Sequence, residues 1–127
     1  MHNDIFKIEV YVPEKYCDTL KSAMFNAGAG KLGNYDCCAW QSSTGTGQFR
    51  PLKGSSPFLG ETDRIEKVEE VKIELICKDD VLENVITAIK THHPYETPAF
   101  QYWEVSRALD PRMLGSQRKP GNDGLSN

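Results

Sequence analysis

Apolar and polar positions alternate at the start of the chain, where Phe6, Ile8, Val10 and Val12 are interleaved with Lys7, Glu9 and Tyr11. A period of two is that of a strand with one buried face. Pro13 follows where a helix can begin, because a first-turn N–H has no partner to lose. From Glu14 onward the apolar residues fall at Tyr16, Leu20, Ala23, Met24 and Ala27, along one helical face. Gly28 suits the position just past that helix, since glycine takes the left-handed conformation without a Cβ penalty. The second half repeats the opening. Val71, Ile73, Leu75 and Cys77 alternate with Lys72, Glu74 and Ile76, and Asp79 or Asp80 then opens a helix striped by Leu82, Val85, Ile86 and Ile89. Asp80-Val81-Leu82-Glu83 has the form of a capping box. Lys90, His92 and His93 gather where the helix dipole favours cations, and Pro94 prevents continuation. Residues 99–105, with Phe100, Tyr102 and Trp103, predict the last strand.

Between residues 30 and 60 the pattern is irregular. Residues 35–40 read as a strand, which would turn Cys37 and Cys38 to opposite faces. Ser42-Ser43-Thr44-Gly45-Thr46-Gly47 reads as a turn, and residues 48–52 as the returning arm of a hairpin limited by Pro51. Residues 53–60, rich in Gly, Ser and Pro, predict an exposed loop of the kind that carries function. The order is β-α-β, a hairpin arm, then β-α-β. That is an α+β, ferredoxin-like split βαβ arrangement: an antiparallel sheet with two helices on one face plus an extra hairpin arm. Residues 1–106 are expected to form this domain. Residues 107–127 form a polar tail expected to be partly disordered. The uncovered sheet face carries Tyr11, Ile76 and either Trp40 or Trp103, which points to a homo-oligomer.

Length and composition narrow the function classes. The 127 residues make one domain, of which folding hides about two-thirds of the surface. A net charge of −3, with basic residues scattered among acidic ones, offers no field for a phosphate backbone, so no nucleic acid is expected. No apolar run approaches the roughly 20 residues that span a bilayer, and the N-terminus lacks a signal-peptide pattern. The expected compartment is the cytoplasm, without membrane association. Cys17, Cys37, Cys38 and Cys77 lack C-x-x-C spacing and read as reduced thiols in or near the core.

Candidate chemistry is sparse. His92-His93-Pro94-Tyr95-Glu96 places imidazole, phenol and carboxylate in one turn, which can bind a divalent metal or an anion, or can simply stop the helix. Thr44-Gly45-Thr46-Gly47 lacks the Lys-Ser/Thr of a phosphate-binding loop. Glu69 with Glu70 and Asp79 with Asp80 read as a solvated turn and a helix cap rather than an acid–base pair. Cys38 with His93 is a nucleophile–base pair only if the fold brings them together.

His93-Pro94-Tyr95-Glu96-x-Pro98 resembles the signature of CutA-like proteins, which share the PII-like ferredoxin fold and form trimers. Val12-Pro13-Glu14, Gly28-Ala29-Gly30, Gly33-Asn34-Tyr35, Cys38, Gly45-Thr46-Gly47-x-Phe49-x-Pro51, Pro57-x-x-Gly60 and Val71-x-x-Glu74 follow the order of the YqfO-type domain. That domain is inserted in bacterial dinuclear-metal-centre proteins, the GTP cyclohydrolase type 2 homologues. The resemblance covers residues 5–105 and implies a PII/CutA-like fold and a trimer, or else a dimer. In those proteins flanking domains hold the two metal ions, so a stand-alone version is expected to be non-catalytic. The matching positions Tyr35, Cys38, Thr46, Phe49, Glu74 and Tyr95 are the ligand-binding candidates. His93 and Glu96 are the candidate ligands of a divalent metal ion. These residues are expected to converge on a cleft near a subunit boundary. The rival readings are a structural domain that docks a separately encoded protein partner, and an enzyme using Cys38 and His93.

Overall fold

The computed structural model describes residues 4–106, so the expected tail at 107–127 lies outside the described residues. Strand β1 (Ile5–Pro13) leads through a 3-10 turn at Glu14–Tyr16 into helix α1 (Cys17–Asn26). Two short strands, β2 (Trp40–Gln41) and β3 (Gly45–Phe49), precede the long β4 (Glu66–Lys78). A second 3-10 turn, Asp79–Val81, opens helix α2 (Leu82–His92), and β5 (Phe100–Glu104) ends the described fold. The five strands form one antiparallel sheet in the order β2-β4-β1-β5, with β3 also on β4. This is the predicted split βαβ fold.

The alternation seen in the sequence is the alternation of burial. Val10, Val12 and Ile73 have no exposed surface, and neither do Leu20 and Met24 of α1 or Val85 and Ile89 of α2. Each such aliphatic side chain contributes about 1.5–3 kcal/mol through burial. The helices therefore cover one face of the sheet. Helix α1 ends in a Schellman motif: Gly28 N–H donates to Phe25 O at 3.0 Å and Ala29 N–H to Met24 O at 3.1 Å. Gly28 has φ +115°, as its predicted role requires. The capping box does not form. Asp80 lies inside the 3-10 turn, and Val81, without a side-chain cap, takes the N-cap position.

The middle of the chain departs from its reading. Cys37 has φ +56°, a left-handed conformation that no strand accommodates, so the strand expected at 35–40 shrinks to Trp40 and Gln41. The turn expected at 42–47 is strand from Gly45 onward. Gln41 pairs with Ile73 and Gly45 with Glu70, so Ser42, Ser43 and Thr44 stand opposite Lys72 and Val71. That is a one-residue bulge in a single edge. Ser42 stabilises it, donating its N–H to Lys72 O at 2.9 Å and accepting the Lys72 N–H on Oγ at 2.8 Å.

The hairpin arm exists, with different partners from those expected. Gly45–Phe49 pairs with Glu66–Glu70 of β4, not with residues 35–40. Strand β1 pairs with β4 only from Glu70 onward, so β3 and the start of β4 project beyond the sheet. On the face away from the helices, Trp40 is registered with Glu74 and Trp103 with Lys7, which puts both tryptophans there. Among the described residues no helix is long and apolar enough to cross a membrane.

Candidate functional site

The projecting arm and the chain leaving α2 bound an open cleft of about 430 Å³. Phe49 enters it from β3, Phe58 from the loop between β3 and β4, Glu70 from β4, and Tyr95 and Glu96 from the segment after α2. The segment is positioned by His93. Its backbone N–H still closes a helical bond to Ile89 O at 2.9 Å, but φ −80° and ψ 138° turn the chain out of the helix. Pro94, which lacks a donor and restricts the preceding residue, accounts for the break.

His93 is 6% exposed, and both ring nitrogens are engaged. Nε2 lies 2.7 Å from Tyr11 O, and Nδ1 accepts the Tyr95 N–H at 3.1 Å. A carbonyl only accepts and an amide N–H only donates, so the ring is the neutral tautomer with its proton on Nε2. Burial lowers the His93 pKa, opposed by the hydrogen bond to Tyr11 and by Glu70. Tyr95 donates its hydroxyl to Glu70 Oε2 at 2.8 Å. Burial first, and that bond second, raise the Tyr95 pKa, so Tyr95 remains a phenol. Its ring centre lies 5.8 Å from Phe49, 6.4 Å from Phe58 and 5.0 Å from His93. Tyr16 supports Phe58 from behind, edge to face at 5.7 Å. Glu96 Oε1 accepts the Ser56 N–H at 2.9 Å and ties the two loops together.

Of the sequence candidates, Phe49 and Tyr95 line the cleft with Glu96, and His93 underpins it. The other four lie elsewhere. Tyr35 is 74% exposed in the turn it forms with Leu32. Cys38 donates its N–H to Gly30 O at 2.8 Å, and its thiol approaches Asp36 O at 3.6 Å. Thr46 is exposed on the arm opposite Glu69. Glu74 lies on the open sheet face, 2.9 Å from Lys7 and 3.0 Å from Lys72, and these two ammonium groups lower its pKa.

A divalent cation does not fit these residues. Both His93 nitrogens are committed to backbone groups, and Glu96 engages a different partner, Ser56. Among the described residues no group of three or more His, Cys, Asp or Glu side chains could hold a metal ion. The paired reading of Cys38 and His93 meets the same obstacle, since neither ring nitrogen is free to act as a base.

Glu70 was missed as a site residue. Read beside Glu69 as a solvated turn, it belongs instead to a strand that starts at Glu66, before the clear alternation at Val71. Phe58 was missed because its loop has no period from which a direction can be read. The available signal was a lone aromatic in a Pro/Gly/Ser loop.

A two-layer α+β module of this topology is of the PII/CutA-like fold class. The comparisons agree. A family profile described as CutA1 divalent ion tolerance protein matches residues 60–112. The CutA1 structure from the psychrotrophic bacterium Shewanella sp. SIB1 superposes with TM-score 0.63 at 15% identity, covering 87% of this chain and 90% of that one, a likeness of fold.

More specifically, the chain is homologous to a CutA-like segment of the proteins named GTP cyclohydrolase 1 type 2 homolog. It is 41% identical to that of Bacillus subtilis over 109 residues, 86% of this chain and 29% of the relative. It is 38% identical to that of Staphylococcus epidermidis over 102 residues, 80% of this chain and 28% of the relative. A Bacillus cereus protein related to NIF3 matches at 35% identity and TM-score 0.70, covering 83% of this chain and 26% of that one. The chain thus spans less than a third of the length of these relatives.

Proposed function

We propose that this chain is a non-catalytic binding module that takes a small ligand in the arm cleft and works as a homo-oligomer, a trimer or a dimer. The cleft carries the reading: about 430 Å³, walled by aromatic rings, with a carboxylate held in place by Tyr95. That is the usual size and character of a small-molecule site. The state of the candidate base supports a non-catalytic role: His93 is neutral with both ring nitrogens bonded to backbone groups. The relatives' cyclohydrolase name belongs to proteins of which this chain covers less than a third, and that activity is not carried over. All four cysteines are free thiols, which supports a cytoplasmic setting.

Homo-oligomerisation is supported by the open sheet face. Trp40 is 58%, Trp103 43% and Tyr11 38% exposed there, around the ion pairs of Lys7, Lys72, Glu9 and Glu74. Large exposed aromatics of this kind are enriched at interfaces. The same face favours a second reading, in which it docks a separately encoded protein.

The test combines a small-molecule fragment titration followed by NMR with sedimentation of wild type and of the Trp40→Lys/Trp103→Lys double variant. The expected result is fragments that shift the amides of Phe49, Phe58 and Tyr95, and an oligomer that the double variant dissociates. A wild-type monomer at every concentration would sink the oligomer. No fragment shifting those amides would remove the ligand site and leave the docking reading.

A further inference from the structure

The chemistry of the cleft narrows what it takes, on the reading that it is a ligand site. Phe49, Phe58 and Tyr95 line one opening, at interplanar angles of 55° and 49° about Tyr95 rather than in a stack. Aromatic faces carry negative potential and attract cations. Two carboxylates, Glu70 and Glu96, share the lining with a single basic residue, Arg50. Arg50 is exposed at the end of a flexible stem, whereas Glu70 is half-buried and fixed by the Tyr95 hydroxyl at 2.8 Å. The backbone guards this placement: a Cβ at position 47 would collide with the Glu70 carboxylate, so Gly47 leaves the space it occupies. A carboxylate that accepts one hydroxyl keeps further acceptor capacity. An anionic ligand would meet that fixed negative charge, and a neutral one would leave it unanswered.

We propose that the ligand is a small organic cation, an alkylated ammonium, whose head lies among the three rings and faces Glu70. Arg50 does not oppose this, because it can turn to water while Glu70 cannot leave the cleft without losing Tyr95. The cation is held by ring faces and by one charge, not by metal-type coordination, which agrees with the committed nitrogens of His93.

The probe pair is choline and its neutral isostere 3,3-dimethylbutan-1-ol, titrated into the full chain and followed by amide shifts at Phe49, Phe58 and Tyr95. Choline is expected to bind about tenfold more tightly than the alcohol, the scale of a partly desolvated cation–π site. Glu70→Gln is expected to erase most of that preference, Arg50→Gln to preserve it, and Phe49→Ala to abolish binding. A folded Glu70→Gln protein, checked by its amide spectrum, keeps the comparison interpretable. Equal affinity for both compounds, or a preference that survives Glu70→Gln, overturns the cationic ligand while leaving the cleft a binding site. Cleft amides that answer to neither compound overturn the cationic ligand, and the fragment titration then decides the cleft independently.

Discussion

His93 donates its Nε2–H to the carbonyl of Tyr11 over 2.7 Å, joining the exit of α2 to the end of β1 across 82 positions of sequence. The other ring nitrogen receives the Tyr95 N–H, so one side chain both anchors the helix exit and sets the direction from which Tyr95 enters the cleft. A residue with the look of a metal ligand is thus a backbone clamp.

Removing the clamp takes the partner from a part-buried carbonyl and a part-buried N–H. His93→Ala is expected to cost about 3 kcal/mol, each orphaned group accounting for roughly 1–3. The wild type should also be pH-sensitive. Burial holds the folded pKa below the ordinary value of 6.5, so the unfolded chain binds the proton more tightly. The stabilisation is complete above about 6.5 and is lost as pH falls through the folded value. Urea midpoints between pH 8 and pH 5 should fall for the wild type and fall less for His93→Gln. Parallel curves would show that another group governs the slope.

Gly28 and Gly54 separate backbone conformation from crowding. Both have positive φ, +115° and +96°. A Cβ at Gly28 would lie 2.9 Å from Val81 Cγ1, while one at Gly54 would meet nothing within 4 Å. Gly54→Ala is expected to cost about 1 kcal/mol from conformation alone. Gly28→Ala should cost roughly 3 kcal/mol, because it also pries the end of α1 from the turn before α2. Equal losses by denaturant titration would mean that Val81 gives way freely.

Thiol reactivity should follow burial. Cys37 is exposed, Cys38 partly so, and Cys17 and Cys77 are buried with raised pKa values. Maleimide at pH 7.5, followed by peptide mass mapping, should label Cys37 first and Cys38 more slowly. Cys17 and Cys77 should react only after unfolding. Rapid labelling of Cys77 in the native protein would show that the α2 side of the sheet opens readily. Labelling of Cys38 faster than a simple thiol would revive its reading as a nucleophile.

The sequence by itself determined β1, β4 from Val71 onward and β5, together with the two helices and their buried faces. Alternation at Ile8, Val10 and Val12, its repeat at Val71, Ile73 and Leu75, and the helical stripes of Leu20, Met24, Val85 and Ile89 are local periods, and burial enforces them residue by residue. The glycine that ends α1 and the proline that follows α2 were equally legible, because each acts through its own backbone. The motif order also carried the kinship, now measured at 41% identity over 109 residues.

Only the tertiary structure decided the site. The edge strand is broken by a bulge at Ser42–Thr44, and its register depends on Lys72, far away in sequence. Glu70 is a site residue only because the arm overhangs β1 and meets Tyr95, and Phe58 because its loop folds back over Tyr16. Sequence spacing placed His93 beside Glu96 as prospective ligands, yet hydrogen-bond partners are assigned in space, and Tyr11 and Ser56 claim them. Periodicity fixes which way a side chain points within its own element; which groups meet across elements is set by register and loop path, which no local pattern encodes.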